Sequence, residues 1–229
     1  MKLSIFIALG LLAGELVSAQ SAVDFANLAK YKDDNTLIVN AKKKVDVVFM
    51  GNSITEGWVK SHPEFFSENN YTGRGISGQT SSQMLLRFQN DVVALKPKLV
   101  IINAGTNDIA QNTGVYDQDF TFNNIKAMAD IAQSNRIKVI IASVLPAAAF
   151  PWRKEITDVA QKVDALNSRL KQYAQKNKLP FIDYNAAMRD EKGGLREGLS
   201  KDGIHPTLSG YTIMEPMIKK AINTTLGKK

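Results

Sequence analysis

The chain has 229 residues, of which 44% are hydrophobic, and this is enough for one domain with a substantial core. It contains no cysteine, which excludes disulfides, thiolate metal sites and a lipidated N-terminal cysteine, so that stability has to come from the core. The net charge of +7 raises the question of nucleic acid, but the basic residues are dispersed among acidic ones without interleaved aromatic residues. We therefore interpret them as a solvated face and expect no nucleic-acid partner.

The N-terminus has the pattern of an export signal. Met1 and Lys2 precede an apolar run over residues 3–13, and Val17-Ser18-Ala19 satisfies the small-x-small rule for signal peptidase. The run is too short and too closely followed by Glu15 for a membrane span. The sequence predicts a signal peptide over residues 1–19, a single domain over 20–229, and a secreted or periplasmic protein without stable membrane insertion.

Apolar strand-like runs alternate with helical patterns along the rest of the chain. The runs lie at residues 45–50, 72–76, 99–103, 137–143 and 180–183. Helical spacing is found at residues 25–31, 81–91, 122–132 and 156–173, and Thr207 is expected to cap a last helix. This alternation is typical of right-handed βαβ units, so we predict an α/β fold, a three-layer α/β/α sandwich with a mainly parallel five-stranded sheet.

Ser53 follows the first strand-like run. The run is apolar enough for a strand buried on both faces, and Gly51 permits the sharp turn that follows. Ser53 should therefore lie at the carboxyl edge of the sheet, where ligands bind in open α/β folds. It is either a nucleophile or the cap of the next helix, and this stretch alone does not decide between the two.

Only two histidines could activate Ser53 as a general base. His62 lies in a polar loop, where surface packing is the expected role. His205 follows Asp202 by three residues, so one tight turn could let Asp202 accept the Nδ1 proton while Nε2 faces Ser53. The alternative is a turn aspartate next to an unrelated loop histidine.

Two further positions could stabilise an oxyanion. Gly78 could expose its backbone N–H, and Asn107 could donate through its side-chain amide. Both have structural alternatives, because a glycine after a strand is usually a turn former and Asn107-Asp108 could cap a helix.

Other catalytic motifs are weak. Residues 73–78 match G-x-G-x-x-G, but no hydrophobic strand precedes the first glycine, so we regard the match as accidental. No G-x-S-x-G elbow surrounds Ser53, which disfavours the common α/β-hydrolase fold. With two histidines and no cysteine, a zinc hydrolase is also disfavoured, and we expect no metal and no cofactor.

Four blocks of this chain resemble, in order and spacing, the SGNH or GDSL hydrolases. The likeness is closest to platelet-activating-factor acetylhydrolase-like esterases and secreted bacterial acylhydrolases, and it covers nearly the whole mature chain. The four blocks are residues 51–54 (Gly-Asn-Ser-Ile), 75–78 (Gly-Ile-Ser-Gly), 105–108 (Gly-Thr-Asn-Asp) and 202–205 (Asp-Gly-Ile-His).

The resemblance implies a flavodoxin-like sheet and a set of site residues. It implies Ser53 as nucleophile, Asp202 and His205 as its catalytic partners, and an oxyanion hole formed by Ser53 N–H, Gly78 and Asn107. Asn52 and Gln79 stand where the family usually has aspartate. Because the catalytic carboxylate comes from Asp202, we expect these departures to alter local hydrogen bonding only.

These features predict a serine esterase that removes short acyl groups, O-acetyl in particular, from carbohydrates through an acyl-enzyme. The substrate would be a small-molecule or polysaccharide ester; the oligomeric state stays open. The small residues Ser77 and Gly78 fit a short acyl group, and the aromatic residues Trp152, Phe150 and Trp58 could contact a sugar ring, with core packing as the alternative, above all for Trp58. The alternatives are a lysophospholipase or lipid acetylhydrolase, an acyltransferase, and a non-catalytic glycan-binding protein.

Overall fold

The computed structural model describes residues 24–227, and its centre is a five-stranded sheet in which every pairing is parallel. The strands are β1 (Val47–Gly51), β2 (Tyr71–Gly75), β3 (Leu99–Ile102), β4 (Lys138–Ala142) and β5 (Phe181–Ile182). Their order is β2-β1-β3-β4-β5, the flavodoxin-like arrangement. The predicted fold class is therefore confirmed.

The helices of the described residues pack on both faces of the sheet. In chain order they are α1 (Lys32–Asn40), α2 (Ser53–Ser61), α3 (Pro63–Ser67), α4 (Ser81–Asp91), α5 (Thr106–Ile109), α6 (Gln118–Ser134), α7 (Val159–Lys176), α8 (Tyr184–Met188) and α9 (Leu208–Leu226). One core cluster joins the sheet to α1, α4, α6 and α7, and a second joins it to α2, α3, α8 and α9. These clusters are the two interfaces of the predicted three-layer sandwich.

Alternation along the strands sends neighbouring side chains into opposite layers. In β1, Val48 and Met50 enter the first cluster, whereas Val47 and Phe49 enter the second. All five residues of β1 are buried, as expected for a strand covered on both faces. Continuous apolar runs in the sequence therefore correspond to central strands.

The fold places a crevice where the strand order reverses. β1 lies between β2 and β3, so the connections that leave β1 and β3 run to opposite sides of the sheet. In open α/β sheets ligands bind outside the carboxyl ends of the strands at such a point. Ser53 is the first residue of α2, which follows β1, and Asn107 lies in the short helix α5, which follows β3.

Three local predictions differ from the structure. Residues 25–31 form turns instead of a helix, and α1 begins at Lys32, because Asp33 and Asp34 in its first turn interact favourably with the helix dipole. The helix predicted from residue 156 begins at Val159. Thr207 occupies the N-cap position of α9, but its hydroxyl donates to the Gly198 carbonyl instead of capping.

The predicted signal peptide, residues 1–19, lies outside the described residues. No helix within residues 24–227 is long and apolar enough to cross a membrane.

Candidate active site

Ser53 is the first residue of α2, directly after the turn that ends β1. The side chain of Asn52 caps this helix, since its Oδ1 accepts a hydrogen bond from Ile54 N–H at 3.0 Å. The possibility that Ser53 is the cap is therefore wrong. Its hydroxyl is free to interact with His205 Nε2, which lies 2.9 Å from Ser53 Oγ.

His205 connects Ser53 to Asp202. His205 Nδ1 lies 2.6 Å from Asp202 Oδ2, and the resulting chain is Ser53–His205–Asp202. An ionised carboxylate can only accept, so this network is satisfied when Nδ1 carries the imidazole proton and Nε2 accepts from the Ser53 hydroxyl. In this tautomer the imidazole can take a proton from serine.

The loop around Asp202 holds its carboxylate ionised. Asp202 Oδ1 accepts hydrogen bonds from His205 N–H at 2.8 Å, Ile204 N–H at 2.9 Å and the Ser200 hydroxyl at 3.0 Å. Partial burial opposes ionisation, but these donors and the imidazole hold the pKa of Asp202 well below its ordinary value. Ile204 is buried in the core and anchors this loop.

Gly78 and Asn107 approach each other at the same edge of the sheet. Gly78 has a φ of +78°, a conformation that favours glycine, and Asn107 Nδ2 donates to the carbonyl of the next residue, Gln79, at 2.9 Å. This contact uses one of the two N–H groups of the amide. Within residues 24–227, neither Ser53 N–H nor Gly78 N–H donates to another protein group.

The close approach of β2 to α2 brings the Gly78 turn beside Ser53. Gly75 pairs with Gly51 in the sheet, and a Cβ on Gly75 would lie 2.3 Å from Glu56 N and 2.6 Å from Asn52 O. Any larger residue would clash with backbone, so glycine at position 75 permits this packing. The side chain of Glu56 adds a tether, because its Oε2 accepts from Ser77 N–H at 2.8 Å.

Arg87 hydrogen-bonds to the end of β1 and to the segment around Gly78. The sequence analysis did not identify this residue. Its side chain is fully buried and donates to the carbonyl groups of Gly51 and Arg74, to Gln79 Oε1 and to Asp91 Oδ2. The guanidinium therefore joins the turn before Ser53 to the turn that contains Gly78. An arginine at core spacing with Met84 and Phe88, paired with an acid four residues later, was the available signal.

Asp108 is a second buried group that organises the site. It accepts from both the N–H and the hydroxyl of Ser81, the first residue of α4. Burial raises its pKa despite these hydrogen bonds. Asn107 and Asp108 lie inside α5, whose N-cap is Gly105, so they do not cap their own helix. The N-cap of α4 is Thr80, and Asp108 instead accepts from the first residue of that helix.

Gln79 acts in a way that aspartate could not. Its Oε1 accepts from Arg87 Nε at 2.6 Å, while its Nε2 donates to the Ala26 carbonyl at 2.6 Å. Gln83 donates likewise to the Phe25 carbonyl at 2.7 Å. These two glutamines fasten the N-terminal turns against the candidate site.

Only one of the three aromatic candidates is accessible. Trp58 is 2% exposed and stacks between Phe65 and Tyr211, and Phe150 is 1% exposed, so neither offers a surface to a sugar ring. The expected substrate contacts of Trp58 and Phe150 are corrected to core packing. Trp152 is 45% exposed and stacks on the His205 ring, with ring centroids 6.4 Å apart.

The other histidine belongs to a different contact. His62 Nδ1 lies 2.6 Å from Glu215 Oε1, which also accepts from the Trp58 indole N–H. This group lies among α2, α3 and α9, and Ser53 is paired with His205. No cluster of three or more His, Asp or Glu side chains in the described part of the chain is arranged to hold a metal ion.

An open cleft of about 560 Å³ adjoins Gly78 and Trp152. Most of its lining side chains are polar and uncharged, which suits a ligand with many hydroxyl groups. The lining residues are Asn27, Ile76, Ser77, Gly78, Gln79, Gln83, Asn112, Thr113, Trp152 and Arg153.

Comparisons with known proteins identify relatives in fold and in sequence. A solved GDSL-like lipase from Bacteroides thetaiotaomicron is 56% identical, with a TM-score of 0.85 over 88% of this chain and 99% of that one. The acetylxylan esterase of Geobacillus stearothermophilus is 26% identical over 62% of this chain and 66% of its own length. The isoamyl acetate-hydrolyzing esterase of Saccharomyces cerevisiae is 26% identical over 66% of this chain and 68% of its own. The chain thus spans about two thirds of the length of these two relatives.

The family model of GDSL-like lipases and acylhydrolases matches residues 49–213, which include every position of the Ser53–His205–Asp202 chain as well as Gly78 and Asn107. The resemblance stated from the sequence is confirmed. This protein therefore belongs to the GDSL-like lipase/acylhydrolase family, a family of carboxylic ester hydrolases.

Proposed function

We propose that this protein is a serine esterase that removes short acyl groups, O-acetyl above all, from carbohydrates. The observation that carries the proposal is the continuous hydrogen-bonded chain Ser53–His205–Asp202, with distances of 2.9 and 2.6 Å. A serine, an imidazole and a carboxylate in this order are the groups that acyl transfer through a serine ester requires.

In the first half of the reaction, His205 Nε2 accepts the Ser53 hydroxyl proton as Ser53 Oγ attacks the ester carbonyl. The carbonyl oxygen becomes an oxyanion. It accepts hydrogen bonds from the backbone N–H groups of Ser53 and Gly78 and from the second amide N–H of Asn107. His205 then passes the proton to the departing sugar oxygen. An acyl ester of Ser53 and a free sugar hydroxyl result.

In the second half, water takes the place of the sugar hydroxyl. His205 removes a proton from this water, which attacks the acyl carbonyl, and the returned proton regenerates the Ser53 hydroxyl. Asp202 stays ionised throughout and stabilises the imidazolium that forms at each half. Hydroxyl acceptors other than water would make the protein an acyltransferase, so free acid has to be compared with transferred ester.

The lining of the cleft supports a carbohydrate alcohol. Its amide and hydroxyl side chains can bind sugar hydroxyls, and the exposed face of Trp152 can contact the apolar face of a pyranose. The alternative, a lipid ester, needs an apolar channel beside Ser53. A more apolar groove of about 650 Å³ is lined by residues such as Leu28, Val39 and Ala94, and not by Ser53, His205 or Gly78.

The substrate class is tested by acid release along a ladder of aryl esters. We expect the highest kcat/KM with acetyl or propionyl esters and release of acetate from acetylated xylan or pectin. Each buried methylene contributes roughly 0.8 kcal/mol in an apolar pocket, so a lipid esterase would improve steadily with chain length. A preference for about eight carbons or more, or for lysophospholipids, would establish the lipid alternative.

Asn107→Ala is expected to lower kcat by roughly a hundred- to a thousandfold, with a smaller change in KM. The amide acts on charge that develops in the transition state, so its loss affects kcat first. Steady-state kinetics on 4-nitrophenyl acetate measure both constants. An effect on KM alone would assign Asn107 to substrate binding.

The same substitution also removes the hydrogen bond to the Gln79 carbonyl, so stability is the necessary control. Loss of that bond is expected to cost about 1 kcal/mol. Denaturant unfolding of both proteins separates this loss from the kinetic effect. Unfolding of Asn107→Ala under the assay conditions would leave Asn107 with a structural role.

We also propose that residues 1–19 direct export and are removed, and that residues 20–229 form the mature domain. The apolar run followed by Val17-Ser18-Ala19 supports this proposal. N-terminal sequencing of the exported protein is expected to begin at Gln20. Retention of Met1 in an exported protein would contradict cleavage.

A further inference from the structure

We infer that the cleft beside Gly78 binds a carboxylate on the alcohol part of the ester, so that the substrate is an O-acylated acidic sugar and Arg153 recognises its acid group. This inference rests on the proposed function and names the substrate class of the same site. Arg153 is the one charged residue among those that line the cleft in the described part of the chain, and no acidic side chain lines it.

The position of Arg153 is set by the loop that holds the candidate oxyanion donor. Its Nη2 donates to the Gln111 carbonyl at 2.9 Å, and the neighbouring Asn112 donates to the Gly78 carbonyl at 2.9 Å. Trp152, the residue before Arg153, stacks on the His205 ring. Arg153 is therefore linked to the Gly78 turn through Gln111 and Asn112, and to His205 through Trp152. In our inference, a sugar whose ester reaches Ser53 extends into the cleft that Arg153 lines.

Arg153 keeps donors for a ligand. A guanidinium has five N–H groups, and its contacts within residues 24–227 are the Gln111 carbonyl and Glu155 Oε1 at 3.4 Å. The pair with Glu155 is weak, because the two side chains are 38% and 66% exposed and solvent screens them. A substrate carboxylate held bidentately by Arg153 would replace this contact.

Besides Glu155, the carboxylates of Glu56 and Asp202 lie near the site, and each has partners of its own. Glu56 Oε2 accepts a hydrogen bond from Ser77 N–H, and Lys30 and Lys60 both lie within ion-pair distance of Glu56 Oε1. Asp202 is paired with His205. The net charge of +7 over the whole chain additionally favours association with polyanionic polysaccharides.

The test uses one acetylated oligogalacturonide in two forms, with free carboxylates and with the same carboxylates methyl-esterified. For the unmodified protein we expect kcat/KM to be about fivefold to tenfold higher for the acidic form at low salt, with a smaller ratio at high salt. Arg153→Gln is expected to bring the ratio close to one, and Arg153→Lys to restore part of it. Because each ratio compares two substrates on one protein, a merely structural role of Arg153 would not change it.

Two neighbouring residues provide matched controls. Lys154→Gln removes the same charge from an exposed side chain that does not line the cleft, and should leave the ratio unchanged. Glu155→Gln removes the carboxylate that competes for Arg153 and should raise the ratio of kcat/KM for the acidic form to that for the methyl-esterified form. Equal ratios for the two substrates in the unmodified protein, or an equal loss in Lys154→Gln and Arg153→Gln, would overturn the inference.

Failure of the inference and failure of the proposed function give different results. Hydrolysis of 4-nitrophenyl acetate that depends on Ser53, without discrimination between the two oligogalacturonides, would overturn only the inference. Absence of that hydrolysis would overturn the proposed function. Calorimetric binding of the acidic oligosaccharide to Ser53→Ala, compared with the double variant carrying Arg153→Gln, tests recognition without turnover, and equal affinities would contradict it.

Discussion

Ser53→Ala is expected to lower kcat for 4-nitrophenyl acetate by about 10⁴- to 10⁶-fold, leaving only the contribution of binding and oxyanion stabilisation. The hydroxyl is the one group at this position that can form the acyl ester, and within the described residues its side-chain hydrogen bond is with His205. Stability should change little, because Asn52 and not Ser53 caps α2. Initial rates and denaturant unfolding measure the two effects.

The matched control is Ser61→Ala, which removes the same hydroxyl from the exposed end of the same helix. It should retain full activity. A phosphonate ester inhibitor should add its mass to the peptide that contains Ser53 and to no other. Near-normal activity of Ser53→Ala, or labelling of a different serine, would refute the assignment.

His205→Ala should reduce kcat by a comparable factor, about 10⁴-fold or more, because no other base then faces Ser53 Oγ. The side chain is 41% exposed, so the space it leaves is open to small molecules. Free imidazole added to His205→Ala is therefore expected to restore part of the rate. Initial rates with and without imidazole measure this effect.

His62→Ala is the control for the second histidine. It breaks the contact with Glu215, which is part of the packing around Trp58, and should affect stability more than kcat. A loss of activity in His62→Ala comparable with that in His205→Ala would show that the wrong histidine was chosen. An active His205→Ala would exclude the proposed acyl-enzyme mechanism.

The sequence alone predicted the fold class and the positions of the five strands along the chain. Continuous apolar runs such as those of β1 and β3 are required of strands buried on both faces, and this pattern does not depend on distant contacts. The weakest element was the N-terminal segment. Residues 25–31 form turns because the carbonyl groups of Phe25 and Ala26 bind side chains of α4 and of the turn before it, and these partners are far away in sequence.

Some features of the candidate site likewise follow from local sequence, whereas others depend on packing between distant residues. Ser53, Gly78, Asn107 and the Asp202–His205 pair follow from short motifs at strand ends and before the last helix, because the carboxyl ends of parallel strands meet at one edge. The roles of Asn52 as cap and of Trp152 as the neighbour of His205 depended on packing. Local sequence cannot decide between competing partners of that kind.

For this protein, the sequence by itself determined the three-layer fold, the family and the residues that could carry the reaction. The tertiary structure decided which aromatic side chains reach the surface, since Trp58 and Phe150 are buried while Trp152 is exposed. It also revealed that Arg87 joins the turns on either side of the site and that Arg153 lines the cleft. The physical reason is that motif and periodicity are set by neighbours along the chain, whereas burial and the choice of hydrogen-bond partner are set by residues that only folding brings together.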